Sequence, residues 1–140
     1  MKHICGVKVQ IDNQSVEEFH RPAIVVSNHQ SMLDSSLFLA LSDKFVFVSN
    51  PHVATNRLVG QILRWSGHIA LHEKNEGLDI EHVRHYIKLG YCVVVFPEGI
   101  RNGRSSIRRF HKGAFQVAEQ LNLDIVPVLL HGVNNVLPRN

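Results

Sequence analysis

Tyr91-Cys92-Val93-Val94-Val95-Phe96-Pro97-Glu98-Gly99 is the stretch on which the fold turns. Its first six residues are the longest unbroken apolar run in the chain, rich in β-branched and aromatic side chains, and they read as a strand buried on both faces. Pro97, which has no N–H to give to a ladder, ends the strand. Six apolar residues also fall far short of the roughly 20 that a membrane-spanning helix needs. Upstream, Ile80, Val83 and Ile87 line one helical face and Gly90 supplies a stop. Downstream, a basic loop leads into a helix at Lys112–Leu121 and a last strand at Ile125–Leu130.

Further out the alternation continues. Val7, Val9 and Ile11 alternate within Gly6–Asp12 and predict an opening strand with one buried face. Ala23–Val26 is a short buried strand that stops at Ser27-Asn28-His29, and a helix beginning after Ser31 is predicted within LDSSLFLALS. Lys44–Ser49 is another strand. Ala54–Trp65 carries Leu58, Val59, Ile62 and Leu63 at helical spacing, Gly67 breaks it, and Ile69–Leu71 is a brief strand. Strands apolar throughout, alternating with helices, predict an α/β fold with a layered, mixed and largely parallel sheet flanked by helices. Ligands in such sheets gather at the carboxyl ends of strands. Two strands here end in chemically loaded loops, one at Asn28-His29 and one at Pro97-Glu98.

The chain has 140 residues, 44% hydrophobic and 19% charged, which predicts one domain spanning residues 1–140 and excludes disordered and repeat architectures. Its two cysteines, Cys5 and Cys92, form no motif, and the N-terminus has no signal-peptide core. A cytoplasmic location follows as an expectation, with Cys92 a strand core residue. The formal charge of +3 is unevenly spread. From Gly99 to Ala118 there is no acid, while Arg101, Arg104, Arg108, Arg109 and Lys112 contribute +5, leaving the rest of the chain at −2. An anionic partner is expected at that patch.

The first loop reads Asn28-His29-Gln30-Ser31-Met32-Leu33-Asp34. In one continuous helix, His29 and Asp34 would point about 140° apart and never meet. With His29 in a turn and the helix starting after Ser31, Asp34 lies in the first turn facing the imidazole. A carboxylate there fixes the tautomer, so that the other ring nitrogen accepts a proton, as general-base activation of an alcohol requires. The competing reading makes Ser31-x-x-Asp34 a capping box and His29 a polar turn residue. In the second loop, Glu98-Gly99-Ile100-Arg101-Asn102-Gly103-Arg104 sets a carboxylate among glycines that permit close backbone approach and guanidinium forks that clamp anions. The spacing is not that of a Walker loop. The competing reading is a solvated basic turn.

Together the loops resemble the glycerolipid acyltransferases related to 1-acylglycerol-3-phosphate O-acyltransferase. Four blocks carry the resemblance: Asn28-His29-x-Ser31-x-x-Asp34, Gly67-x-Ile69, Phe96-Pro97-Glu98-Gly99-x-Arg101 and Val126-Pro127-Val128; Lys112-Gly113-Ala114-Phe115 is also similar. The resemblance implies the glycerol-3-phosphate acyltransferase-like fold, with His29 as general base and Asp34 as its orienting partner. The acceptor hydroxyl then attacks the thioester of acyl-CoA or acyl carrier protein, with no covalent acyl-enzyme and no other cofactor. It implies acceptor-binding roles for Glu98, Gly99 and Arg101. Asn28, Ser31, Lys74 and Arg104 join them as candidate substrate-binding residues. The chain departs from the family at Glu73, where an acceptor-gripping arginine is usual, and Lys74 beside it is the candidate substitute. Ile100 and Asn102 stand for the usual threonine and serine. Family members commonly extend beyond both ends of the matched region, so a catalytic core of a longer chain is expected.

Ten histidines are present. His82 and His85 fall opposite the apolar face of their helix with no ligand set to complete a site, so no metal is expected. His68 and His72 flank a short strand near the second block, and His111 sits beside the basic patch. Ile107 and Phe110 among Arg104, Arg108 and Arg109 suit an anionic bilayer surface. The expected partners are therefore an acyl donor, a lysolipid acceptor and a membrane surface, at whose inner face the protein would act peripherally; nucleic acid is not among them. Two other functions compete. A non-enzymatic anion- or nucleic-acid-binding module would use residues 101–112 and ignore His29, and a thioester hydrolase would activate water with the same histidine. The absence of G-x-S-x-G argues against a serine esterase.

Overall fold

The computed structural model describes residues 2–4, 7–12, 19–49, 68–70, 78–102 and 106–136. In chain order these form β1 (Lys2–Ile4), β2 (Val7–Val9), β3 (Ile24–Ser27), α1 (Asp34–Leu39), β4 (Phe45–Ser49) and β5 (His68–Ala70). After them come α2 (Ile80–Lys88), β6 (Cys92–Val95), α3 (Gly113–Leu121), β7 (Ile125–Val128) and α4 (Val133–Val136). The helix expected at Ala54–Trp65 lies outside the described residues.

β6 occupies the centre of a sheet ordered β5-β4-β6-β3-β7. It pairs in parallel with β3 on one side, Val25 opposite Val94, and with β4 on the other, Val46 opposite Val93. β5 and β7 extend the sheet, also in parallel. Because successive side chains alternate faces, each strand feeds two cores. On one face, Ile24, Val26, Val46, Ile69, Val93 and Val95 pack under α2 and α3 through Val83, Ala114, Val117 and Ala118. On the other, Val25, Phe45, Phe47, Cys92 and Val94 pack under α1 through Phe38, which meets Phe45 edge-to-face at 5.4 Å. Two covered faces are the physical reason these strands are apolar throughout.

The helix boundaries follow local chemistry. Asp79 caps α2, its carboxylate accepting from the N–H groups of Glu81 at 3.0 Å and His82 at 3.3 Å. Gly90, at φ +85°, ends it: the N–H of Gly90 reaches Ile87 O and that of Tyr91 reaches Tyr86 O, both at 3.0 Å. Asn122, at φ +51°, makes the same exit from α3 and turns the chain into β7.

Two expectations change. The opening strand expected over Gly6–Asp12 is shorter: β2 spans Val7–Val9 and pairs antiparallel with β1 in a ribbon separate from the main sheet, and Ile11, expected on a buried face, lies beyond it, exposed. The last strand stops at Val128 and forms a sheet edge, with Val126 buried and Ile125 exposed. Edge placement explains how Pro127 is accommodated, since an outward-facing position needs no N–H.

Candidate active site

Three loops meet where β3, β6 and β7 end. β3 delivers Ser27, Asn28 and His29; the chain then turns through Ser31 so that α1 opens on Asp34. His29 Nδ1 lies 2.7 Å from Asp34 Oδ2, with the carboxylate fully buried and the imidazole 21% exposed. The same oxygen accepts from the backbone N–H of Gln30 at 2.8 Å and of Ser31 at 3.0 Å. Asp34 thus reaches back to Ser31 N and also holds the imidazole, but no capping box forms, because the N-cap of α1 is Leu33 and has no side-chain cap bond. Ser31 Oγ accepts from Leu33 N at 3.3 Å and shapes the turn. With Nδ1–H donated to the carboxylate, the lone pair resides on Nε2. Asp34 Oδ1 is buried without a hydrogen-bond partner among the described residues.

The imidazole stacks on Phe96, ring centroids 4.2 Å apart and planes at 19°. Phe96 in turn meets Phe38 of α1 at 6.2 Å, so the histidine is backed by the aromatic core. Phe96-Pro97-Glu98-Gly99 is a tight turn closed by Gly99 N to Phe96 O at 3.1 Å, with proline in the second position that its fixed φ favours. Gly99 has φ +71°, and a Cβ there would lie 3.3 Å from the His111 ring. His111, although exposed, donates its N–H to Pro97 O at 2.8 Å and folds the basic loop back over the turn.

Glu98 is 5% exposed and spans the loops. Its Oε1 accepts from His29 N and its Oε2 from Arg108 N, both at 2.9 Å. Asn102 completes the frame: its N–H donates to His29 O at 2.7 Å, and its side-chain amide reaches Glu98 Oε2 at 3.5 Å and Ser106 O. Asn28 fixes the third loop, donating to Leu130 O at 2.9 Å and accepting from Leu130 N at 2.7 Å. Arg101 stands half-buried beside this frame, while Arg108, Arg109 and Lys112 are exposed.

The structure thus gathers Asn28, His29, Ser31, Asp34, Glu98, Gly99 and Arg101 at one end of the sheet. Arg104 and Lys74, with Gly67, His72 and Glu73, lie outside the described residues. His82 and His85 are exposed on α2, and His82 Nδ1 pairs with Asp79 at 3.0 Å. Cys92 is buried in β6, and desolvation pushes its thiol above the ordinary value against a weaker opposing hydrogen bond from Ala23. Sequence reading missed the parts played by Phe96, Asn102 and Leu130. Phe96 carried a signal, an aromatic residue at the end of the strongest strand; the backbone of Leu130 carried none.

A family model described as Acyltransferase matches residues 7–131. The chain is 30% identical over 135 residues to the chloroplastic 1-acyl-sn-glycerol-3-phosphate acyltransferase LPAT1 of Arabidopsis thaliana, covering 94% of this chain and 38% of that protein. It is 30% identical over 134 residues to 1-acyl-sn-glycerol-3-phosphate acyltransferase alpha of Mus musculus, covering 92% and 47%. The crystal structure of the 1-acyl-sn-glycerophosphate (LPA) acyltransferase PlsC from Thermotoga maritima superposes with a TM-score of 0.69 at 25% identity, over 86% of this chain and 48% of that one. The chain therefore spans less than half the length of these relatives. With the matched region enclosing both loaded loops and the whole parallel sheet, the chain belongs to the acyltransferase family.

Proposed function

We propose that this chain moves a fatty acyl group from the thioester of acyl-CoA or acyl carrier protein to a hydroxyl of a lysophospholipid-like or glycerol phosphate acceptor. The observation that carries the proposal is the buried Asp34 carboxylate 2.7 Å from His29 Nδ1 at the carboxyl end of a parallel sheet. Nε2 takes the acceptor's hydroxyl proton as its oxygen attacks the thioester carbonyl carbon. The tetrahedral intermediate collapses, the C–S bond breaks, and the imidazolium returns the proton to the departing thiolate. Asp34 uses one oxygen for all three of its contacts and is best compensated when His29 is protonated, so its stabilisation grows towards the transition state.

The proposed roles of the other residues follow their contacts. Glu98, Asn28 and Ser31 position His29 and the loops that frame it, so that their part in substrate binding is indirect. Gly99 keeps the turn low against the acceptor, and Arg101, with Arg104 and Lys74 by sequence, takes the acceptor's anionic group. The acid-free loop supports action as a peripheral protein at the inner face of a membrane.

The test is release of thiol from acyl-CoA with and without 1-acylglycerol 3-phosphate and a panel of other lysolipids, alongside detection of the new ester. Acceptor-dependent release with ester formation is expected. Release that ignores the acceptor identifies a thioester hydrolase instead, and salt-sensitive polyanion binding without turnover identifies a binding module. Glu73→Arg, run on the same panel, is expected to raise activity towards phosphate-bearing acceptors by restoring a bidentate ligand.

A further inference from the structure

We propose that Phe96 is a positioning residue for proton transfer: the face of its ring stabilises the positive charge that His29 acquires on taking the hydroxyl proton. The catalytic side of this inference rests on the acyl-transfer reading, whereas the contact between ring and imidazolium does not.

Phe96 follows β6, and strand alternation turns its side chain to the same face as Cys92 and Val94, into the aromatic core under α1. In that core the ring pairs Phe19–Phe45, Phe38–Phe45, Phe38–Phe47 and Phe38–Phe96 all meet edge-on, with planes at 67° to 77°. Such contacts set the positive rim of one ring against the negative face of another. The imidazole departs from this pattern. It lies nearly flat on Phe96, planes at 19° and centroids 4.2 Å apart, over the negative face and well inside the roughly 6 Å at which a cation is attracted.

The other contacts of His29 leave this role to Phe96. Asp34 meets the imidazole at its Nδ1 edge, and Glu98 holds only the backbone N–H. Phe38, 1% exposed, supports Phe96 from the core at 6.2 Å. Asp34 and Phe38 are four residues apart on α1, so one face of one helix sets both the carboxylate and the stack. When Nε2 takes the proton, Asp34 compensates the charge at the edge of the imidazolium and Phe96 at its face. Both interactions strengthen as the charge forms, so they act on kcat more than on acceptor binding.

The experiment replaces the phenylalanine at this position with its mono-, di- and trifluorinated forms, which keep the ring's shape and withdraw electrons from its face. Phe96→Tyr and Phe96→Leu run beside them, each checked by circular dichroism. Turnover is measured from acyl-CoA to 1-acylglycerol 3-phosphate, and NMR without substrate reads the imidazolium fraction of His29 at one fixed pH of about 6.5. The charged groups packed around this loop, Asp34, Glu98, Arg101 and Arg108, are the same throughout. Stepwise loss of kcat with each fluorine is expected, reaching about 5–30-fold, with KM for the acceptor within about twofold. The imidazolium fraction is expected to fall in the same order. Phe96→Tyr, which keeps an electron-rich face, should stay within about threefold of wild type, while Phe96→Leu should lose at least as much as the trifluorinated form. A ring that only packs would leave the series flat. A flat kcat in an enzyme that transfers, or an unchanged imidazolium fraction, would overturn the proposal. Wild type that transfers no acyl group, in a series that still loses imidazolium, would support the ring contact and count against the acyl-transfer reading only.

Discussion

Asp34 has no exposed surface, and its Oδ2 holds one imidazole nitrogen and two backbone N–H groups. That arrangement gives a sharp expectation for Asp34→Asn. The amide fills the same space but cannot compensate an imidazolium, so kcat should fall about 10²–10⁴-fold while KM for the acceptor changes little. Steady-state kinetics over both substrates checks this, and an unchanged kcat would remove the dyad from the mechanism. Cys92 supplies a contrast. Burial raises its thiol and withdraws it from solvent, so it should resist thiol reagents until the chain unfolds; mass spectrometry of peptides alkylated with and without denaturant reads this directly. The pairing of His29 with Asp34 was legible through the resemblance of Asn28-His29-x-Ser31-x-x-Asp34 to the family's block, because spacing alone excludes one continuous helix and leaves a capping turn as the alternative. Glu98 was legible as a loaded residue, but not as a brace, because its partners are backbone groups of residues 29 and 108.

At the scale of elements, the turn after β6 decides whether the loops hold together. Gly99 combines φ +71° with a close approach to His111, so Gly99→Ala forces a side chain into a left-handed conformation and against a ring. A cost of about 1–2 kcal/mol follows, seen as a melting temperature lower by roughly 2–8 °C. Glu98→Gln turns a donor towards one of two backbone N–H groups that now have an acceptor. Stability should fall by about 1–3 kcal/mol and kcat should drop with it as His29 loses its anchor; thermal unfolding and turnover measured on one preparation test both. The strands and helices near these loops were legible because period and punctuation agreed: Ile80, Val83 and Ile87 share the inner face of α2 and Gly90 ends it, while the cap at Asp79 emerged only from the structure. The opening strand was legible as a strand but its partner was not, because Val7, Val9 and Ile11 alternate equally well in a detached ribbon, and alternation does not name a strand's partner.

For the whole molecule, the decisive property is a parallel sheet with both faces covered. Phe45 is fully buried and contacts Phe38 and Phe19 edge-to-face, so Phe45→Ala should cost about 3–5 kcal/mol, a large share of the stability of a domain this size. Denaturant unfolding checks this, and a change below about 1 kcal/mol would contradict the packing of the α1 face. Layering and strand direction were legible from the continuous apolar runs. The order β5-β4-β6-β3-β7 was not, because β3 meets β7 across about a hundred residues and no local pattern records such a pairing. That order sets Asn28, Glu98 and Leu130 side by side and so assembles the site. The claim on which the account stands is that His29, held by Asp34, acts as the base of acyl transfer. Acyl transfer from acyl-CoA to 1-acylglycerol 3-phosphate by His29→Ala, with circular dichroism confirming the fold, tests it most directly. A fall of at least about 10²–10⁴-fold in kcat is predicted, and transfer at the wild-type rate would contradict the account.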